Sequence, residues 1–552
     1  MAAPPTESIE DFPLNDVRRV VARLISEVGV LREEVGVLRD EVLSKDEEIG
    51  LLKAKIAEQA EEIARLKNLP KRPKFKGRPS GMEQSTSKPK VEAGADKEAK
   101  RGRGSKRDKL QVTREVKLKV APPPGARFRG YEDVLVQDLK ISVEVVRYRR
   151  ERWETAQGER IVAAMPAGIM GGFGPELRRF IAVSHFQGQV TSERLMALLN
   201  GMGLEISKRQ VVRLLSQGLE DLVEEDAAVL KAGLETAAWI SVDDTAARHA
   251  GEDCFATQLG DDRFTVFRTG PSKSRVNFLS VLQAGERVFL VDDEALVYMK
   301  ELHMAASPLA LLAGHPDKRF TDQAAWNAHL EALGLDQLEV HPDPVKLATE
   351  GALWAAVKEQ GLLGQTVIVS DGAGQFRLTN NALCWVHSER LVHKLQPTNP
   401  AHRQAVEVTR TLIWWFYRDL KAYKLDPDPK RARMMRARFD RIFTRKTGYI
   451  LLDQLLARLH RRKADLLRVL DRPEIPLHTN GSENDIRALV TKRKISGGTV
   501  SQAGRTARDV MLGLAKTCAK QGVSFYRFLG DRFAVPGAQP IANLAHLVRA
   551  TA

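Results

Sequence analysis

From Val21 to Leu66 apolar residues return every seven positions along two interleaved seams. One seam reads Val21, Val28, Val35, Val42, Ile49, Ile56 and Ile63, and the other reads Leu24, Leu31, Leu38, Lys45, Leu52, Gln59 and Leu66. A helix carrying such a repeat buries both seams by supercoiling against another helix. β-Branched residues in the first seam and leucine in the second favour a parallel pair. Nearly seven heptads give a rod of roughly 70 Å at 1.5 Å per residue. Lys45 and Gln59 interrupt the second seam and fix register at some cost in stability. Residues 14–69 are therefore predicted to form a parallel coiled coil that joins chains into a homodimer or higher oligomer.

Pro70 ends the repeat, and the charge changes sign there. Residues 1–66 hold nine basic and fifteen acidic side chains, whereas residues 67–119 hold eighteen basic and six acidic ones, within a chain of net charge +15. The stretch 70–119 is rich in Pro, Gly and Ser and poor in large apolar residues, so it reads as a flexible basic linker, with Lys71, Arg72 and Lys74 at its head. Clustered cations gain most from displacing condensed counterions, which points to a polyanionic partner. No run of eighteen apolar residues occurs, and the first dozen residues are acidic, so neither a membrane span nor a secretory signal is expected. The three cysteines, Cys254, Cys384 and Cys518, are isolated. They build neither a disulfide framework nor a four-thiolate zinc site, and a reducing cytoplasmic setting fits them.

Two β-rich runs, 134–148 and 153–163, predict a small β element within residues 120–170. Residues 171–232 turn helical and fit a helix-turn-helix. A helix over 192–200 meets the Gly201-Met202-Gly203 turn, Leu204 and Ile206 plug it, and Ser207 caps a second helix. Lys208, Arg209, Gln210 and Arg213 fall in the first turns of that second helix, the part that enters a major groove in DNA readers.

Further on, three carboxylates mark the ends or starts of elements. The strand 237–242 stops at Asp243-Asp244-Thr245, the strand 365–370 stops at Asp371-Gly372, and Asn480-Gly481-Ser482-Glu483 opens an amphipathic helix. Cutting and joining phosphodiesters by in-line displacement benefits from two divalent ions held by a few hard carboxylates. Each residue also has an ordinary reading: strand-end aspartates begin turns, and Asn480 with Glu483 fits a capping box. Asp293, at the end of the strand-like run 288–291, competes with Asp243 for the first position on spacing alone.

These residues resemble the insertion sequence 66 family of transposases. The likeness rests on Val242-Asp243-Asp244-Thr245, on Ser370-Asp371-Gly372-Ala373-Gly374 followed by Cys384-Trp385-Val386-His387, and on Asn480-Gly481-Ser482-Glu483-Asn484-Asp485-Ile486-Arg487. The tail from Lys492 to Asp531 is also similar. The resemblance implies an α/β RNase H-like catalytic core over 233–552 whose triad Asp243, Asp371 and Glu483 binds two Mg²⁺ or Mn²⁺ ions. It prefers Asp243 to Asp244, because the family's aspartate comes first in an Asp-Glu-Thr triplet. It relegates Asp292 and Asp293 to a helical insertion at about 286–350, and a second helical insertion is expected at about 395–475.

Arg487, Lys492, Arg493 and Lys494 are expected to steer phosphates toward Glu483. Family members often carry a cysteine-rich segment before the helix-turn-helix. Residues 120–190 contain no cysteine, so no zinc is expected.

The fold class expected is thus multidomain: an N-terminal parallel coiled coil, a small β element with a helix-turn-helix, and an RNase H-like core with helical insertions. The implied partners are transposon-end and target DNA, a second copy of the chain, and helper proteins encoded by the same bacterial element. The implied reaction is metal-dependent phosphodiester cleavage and strand transfer. A catalytically silent dimeric DNA-binding descendant of such an enzyme is the alternative.

Overall fold

The computed structural model describes residues 21–29, 35, 111–285, 287–378 and 380–552. The chain divides into two units, Met1–Val91 and Glu92–Ala552. In the first, residues 21–29 and 35 are helical, with Val21, Leu24, Val28 and Val35 exposed. The rest of the heptad stretch and the linker with Lys71, Arg72 and Lys74 lie outside the described residues.

In the second unit, residues 111–150 carry no regular strand, so the run 134–148 does not pair. Only a short hairpin forms, β1 (Arg152–Glu154) against β2 (Arg160–Val162). Its residues are all exposed, and without a packed face β-branched side chains alone do not extend a sheet. Four helices follow: α1 (Pro175–Ala182), α2 (Ser192–Gly201), α3 (Lys208–Ser216) and α4 (Glu220–Thr236). Ser207 caps α3 through a full capping box, its hydroxyl accepting from Gln210 N–H while the Gln210 side chain accepts from Ser207 N–H at 2.8 Å. Ile206 is buried beneath the turn.

The core is one mixed sheet. Strand β3 (Trp239–His249) pairs antiparallel with β4 (Glu252–Gly260), which pairs antiparallel with β5 (Thr265–Gly270). After a long excursion the chain returns as β8 (Val367–Ser370), parallel to β3, and then β9 (Asn381–Leu383), parallel to β8. The order across the sheet is β5-β4-β3-β8-β9. β3 does not stop at Asp243 as the sequence predicts but continues to His249. Its outer half is paired throughout by β4, and the Ala250-Gly251 turn, both residues at positive φ, gives the tight reversal a two-residue hairpin needs.

The excursion between β5 and β8 holds α5 (Arg275–Leu282), a two-stranded ribbon of β6 (Phe289–Leu290) and β7 (Arg319–Phe320), α6 (Asp293–Glu301), and α7 (Pro344–Glu359). The run ending at Asp292 is β6, outside the main sheet. Asp292 caps α6, its carboxylate accepting from Ala295 N–H, which explains the acidic pair there without a site. α7 is buried on nearly every side because alanine and other small apolar residues let α5 and α6 approach it closely.

Beyond β9 come α8 (Trp385–His393) and the long helices α9 (Pro400–Leu425), α10 (Pro429–Phe443) and α11 (Ile450–Arg461). They enclose a second core in which Trp385 packs against Phe416, Phe439 and Phe443, each such burial stabilising by roughly 1.5–3 kcal/mol. Of the tandem aromatics, Phe416 is buried and Trp415 is exposed. Then come α12 (Asn480–Ser496), which lies over β3, and α13 (Gln502–Lys520), which packs on β5, followed by two shorter helices, Phe525–Arg532 and Leu544–Ala550.

Candidate active site

Alternation along β3 separates its two aspartates. Directly opposed residues of paired strands share a face, so Ser241, Asp243 and the facing Gln258 of β4 lie together. Ser241 hydrogen-bonds Ser482 of α12, so this is the face that α12 covers. Asp244 points the other way, where Lys273 pairs with it and Gln375 Nε2 donates to its Oδ2 at 2.6 Å.

Asp371 follows β8, and the parallel register brings it to Asp243. Trp239 pairs with Val367 and Ser241 with Val369. Carrying the same offset two residues further sets Asp371 level with Asp243 on the same face. Asp371 Oδ1 accepts from Ala373 N–H at 2.8 Å, which holds the turn. Burial pushes the Asp243 carboxyl up to about 6, and the Asp371 and Asp244 carboxylates add to the shift; the Asp244 N–H and His387 oppose it.

Glu483 sits in the first turn of α12, one residue after Ser482. The capping box predicted with Asn480 does not form: Thr479 is the cap residue and makes no side-chain cap bond. The Glu483 carboxylate is left to face α8, where Oε1 lies 3.3 Å from Arg390 Nη1 and 3.6 Å from His387 Nε2. His387 is raised above the ordinary imidazole range, chiefly through its hydrogen bond with Cys384 and further by Glu483.

Among the described residues no three His, Cys, Asp or Glu side chains stand close enough to hold one metal ion. The donor chemistry of the aspartate pair nevertheless suits a divalent cation. Two hard carboxylates share a face, and one of them is held above its usual range by burial and by its neighbour's charge, a deficit that a cation relieves.

The model of the Transposase IS66 family matches residues 170–322 and 356–507, more than half of the chain and inclusive of all three carboxylates. The chain belongs to this transposase family. It is also 51% identical over 324 residues to y4jO, an uncharacterized protein of Sinorhizobium fredii, covering 59% of this chain and 100% of the relative. Membership implies DNA substrates and supports transposition as the process. Family chemistry of the Asp-Asp-Glu type generally uses divalent metal ions. The family match skips residues 323–355, which overlap the later part of the insertion expected at about 286–350 and extend slightly beyond it. Among the described residues no helix is long and apolar enough to cross a membrane.

The basic residues expected to meet DNA divide into groups. Lys208, Arg209 and Arg213 are exposed at the start of α3, whereas the Gln210 side chain is engaged in the cap. On α12, Arg487 and Lys494 are exposed and Arg493 donates to the Ala246 carbonyl. Lys492 departs from expectation. It is 4% exposed and donates to the His185 carbonyl at 2.7 Å, because the helical period turns it toward the π-helical turn Val183–Gln187 that follows α1 rather than toward Glu483. In the arginine-rich α10, Arg431, Arg436 and Arg438 have acidic partners in Asp426, Asp471 and Asp419. Arg433 and Arg441 are exposed.

Two residues near the carboxylates have no signal in the sequence. Arg390 holds Glu483 from α8, one turn beyond His387, a spacing that becomes meaningful only once α8 is placed. Gln258 is 1% exposed with neither amide atom hydrogen-bonded, directly opposite Asp243.

Proposed function

We propose that this chain is the transposase of a bacterial insertion sequence, cutting transposon-end DNA and joining it to target DNA through Asp243, Asp371 and Glu483. The observation that carries this reading is the shared register of Asp243 and Asp371 on adjacent parallel strands, with Glu483 on the helix that covers the same face. The strand order β5-β4-β3-β8-β9, three antiparallel strands followed by two parallel ones, is the arrangement an RNase H-like core requires and supports the same reading.

Asp243, Asp371 and Glu483 would together hold the divalent Mg²⁺ or Mn²⁺ ions. The ions supply charge neutralisation and activation of water or a 3′-hydroxyl. With Glu483 holding an ion, Arg390, its present partner, would be free to meet a DNA phosphate. The α2–α3 pair forms a helix-turn-helix that reads end DNA through Lys208, Arg209 and Arg213. The linker holds phosphates without sequence preference, and the heptads pair two chains.

Purified protein incubated with Mg²⁺ or Mn²⁺ and DNA from the ends of its own element tests this. The parent cuts, and Asp371→Asn is reduced by at least a thousandfold while binding the same DNA. Equal cutting by both removes the assignment of the site. Tight binding with no cutting by the parent favours the catalytically silent DNA-binding alternative.

A further inference from the structure

A cavity of about 640 Å³ opens between the loop after β5, the start of α7 and the turn after β8. It lies beside Asp244, on the face of β3 away from Asp243, and Asp243, Asp371 and Glu483 are not in its lining. Lys273 and Gln375, both in its lining, are the partners of Asp244, and Gly374 in the same lining is three residues beyond Asp371. Lys346 and Glu350 enter it from the stretch that the family match skips. The cavity is therefore built partly by a segment outside the family's matched core.

Its polar groups are unevenly satisfied. Glu350 is 1% exposed, and its Oε2 accepts from Arg275 Nη1 at 3.1 Å and from the Tyr298 hydroxyl at 3.3 Å. Glu350 Oε1 and Arg275 Nε are buried without partners. An unpaired buried carboxylate oxygen is costly, and the group that relieves it is an N–H donor. At the rim, Lys346 is exposed and makes no ion pair among the described residues, and Lys273 retains two ammonium hydrogens beyond its bond to Asp244. With two lysines against one exposed carboxylate, Asp343, at the rim and an acceptor inside, the cavity fits a molecule that is anionic at one end and carries an amino group at the other. The volume suits one nucleotide.

We propose that this cavity receives a single unpaired nucleotide of the DNA strand being cut, its phosphate on Lys273 and Lys346 and the amino group of its base donating to Glu350 Oε1. The inference rests on the transposase reading for its substrate, but not on the triad for its chemistry. Cytosine presents such an amino group, whereas thymine presents a carbonyl oxygen at the same position.

Calorimetric titration of the full chain in EDTA with dCMP, dTMP and 2-deoxyribose 5-phosphate tests it. The parent binds dCMP with a Kd of about 1 mM or tighter and prefers it to dTMP and to the sugar phosphate by about tenfold, the worth of one hydrogen bond to a charged acceptor. In Glu350→Gln the amide oxygen stays with Arg275 and Tyr298, which are both donors, and the amide nitrogen then faces the cavity. The preference therefore moves from dCMP toward dTMP, a reversal that a merely structural glutamate would not produce. Lys346→Ala weakens all three ligands by a similar factor. Asp371→Asn binds dCMP as the parent does. A parent that binds dCMP but never cuts DNA supports the pocket while contradicting the function proposed above. No dCMP binding at millimolar concentration, equal affinity for dCMP and the sugar phosphate, or an unchanged preference in Glu350→Gln would overturn the inference.

Discussion

Gln258 and Lys492 show how single buried groups divide between stability and function. Gln258 places an unsatisfied amide beside Asp243, and an apolar side chain of similar shape avoids a cost of about 1–3 kcal/mol. Gln258→Leu is expected to raise the melting temperature by a few degrees and to lower DNA cutting, measured by calorimetry and by a cleavage assay. A neutral or lower melting temperature would mean that the amide is satisfied in solution.

Burial lowers Lys492 from its ordinary 10.5 to about 7. The unfolded chain keeps that proton up to about pH 10.5 while the folded chain gives it up near 7, so stability rises as pH climbs between those values. Lys492→Met should therefore be more stable than the parent at pH 7, by an amount on the order of a few kcal/mol. The advantage should shrink toward pH 10, and melting curves across that range check it. The sequence places Lys492 among phosphate-steering residues because lysine and arginine neighbours look alike in one dimension. The helical period that turns Lys492 inward while leaving Lys494 exposed matters only once the turn Val183–Gln187 is known to pack there.

At the scale of elements, the second helix of the predicted helix-turn-helix was legible to the residue. Ser207, Gln210, Ile206 and the glycine turn each have a local role that a short stretch of sequence can specify. Ser207→Ala is expected to destabilise the chain by about 1 kcal/mol in denaturant titration. Arg209→Ala should leave stability unchanged and weaken end-DNA binding several-fold, which separates the cap from the contact; equal binding would remove α3 from the interface.

The outer half of β3 was not legible. Ala250 in a left-handed conformation is not a turn signal, and the strand is held by pairing with β4 rather than by its own propensity. The same limit applies to the carboxylates. That Asp243 and Asp371 share a register is a property of β3 beside β8, two elements separated by a long excursion. In the sequence alone Asp293 was an equal rival, and it is the cap of α6 that accounts for the neighbouring Asp292.

At the scale of the whole molecule, charge is sorted along the chain: an acidic heptad segment, a strongly basic stretch and a folded body that carries the aspartate pair, Asp243 half-buried and Asp371 exposed. Deleting residues 70–110 is expected to flatten the dependence of DNA binding on salt while sparing sequence preference. An unchanged salt slope would make the stretch a tether. Replacing Leu31 and Leu38 with polar residues should convert dimers to monomers in sedimentation, and a persistent dimer would move the pairing surface elsewhere.

The central claim is that one face of β3 carries the chemistry, and the adjacent aspartates test it directly. Single-turnover cutting of the element's own end DNA with Mn²⁺ is compared for Asp243→Asn and Asp244→Asn. The account predicts that Asp243→Asn abolishes cutting while Asp244→Asn, which loses its charge opposite Lys273 but keeps an oxygen for Gln375, retains it within about tenfold. Cutting by Asp243→Asn, or its loss in Asp244→Asn alone, would contradict it.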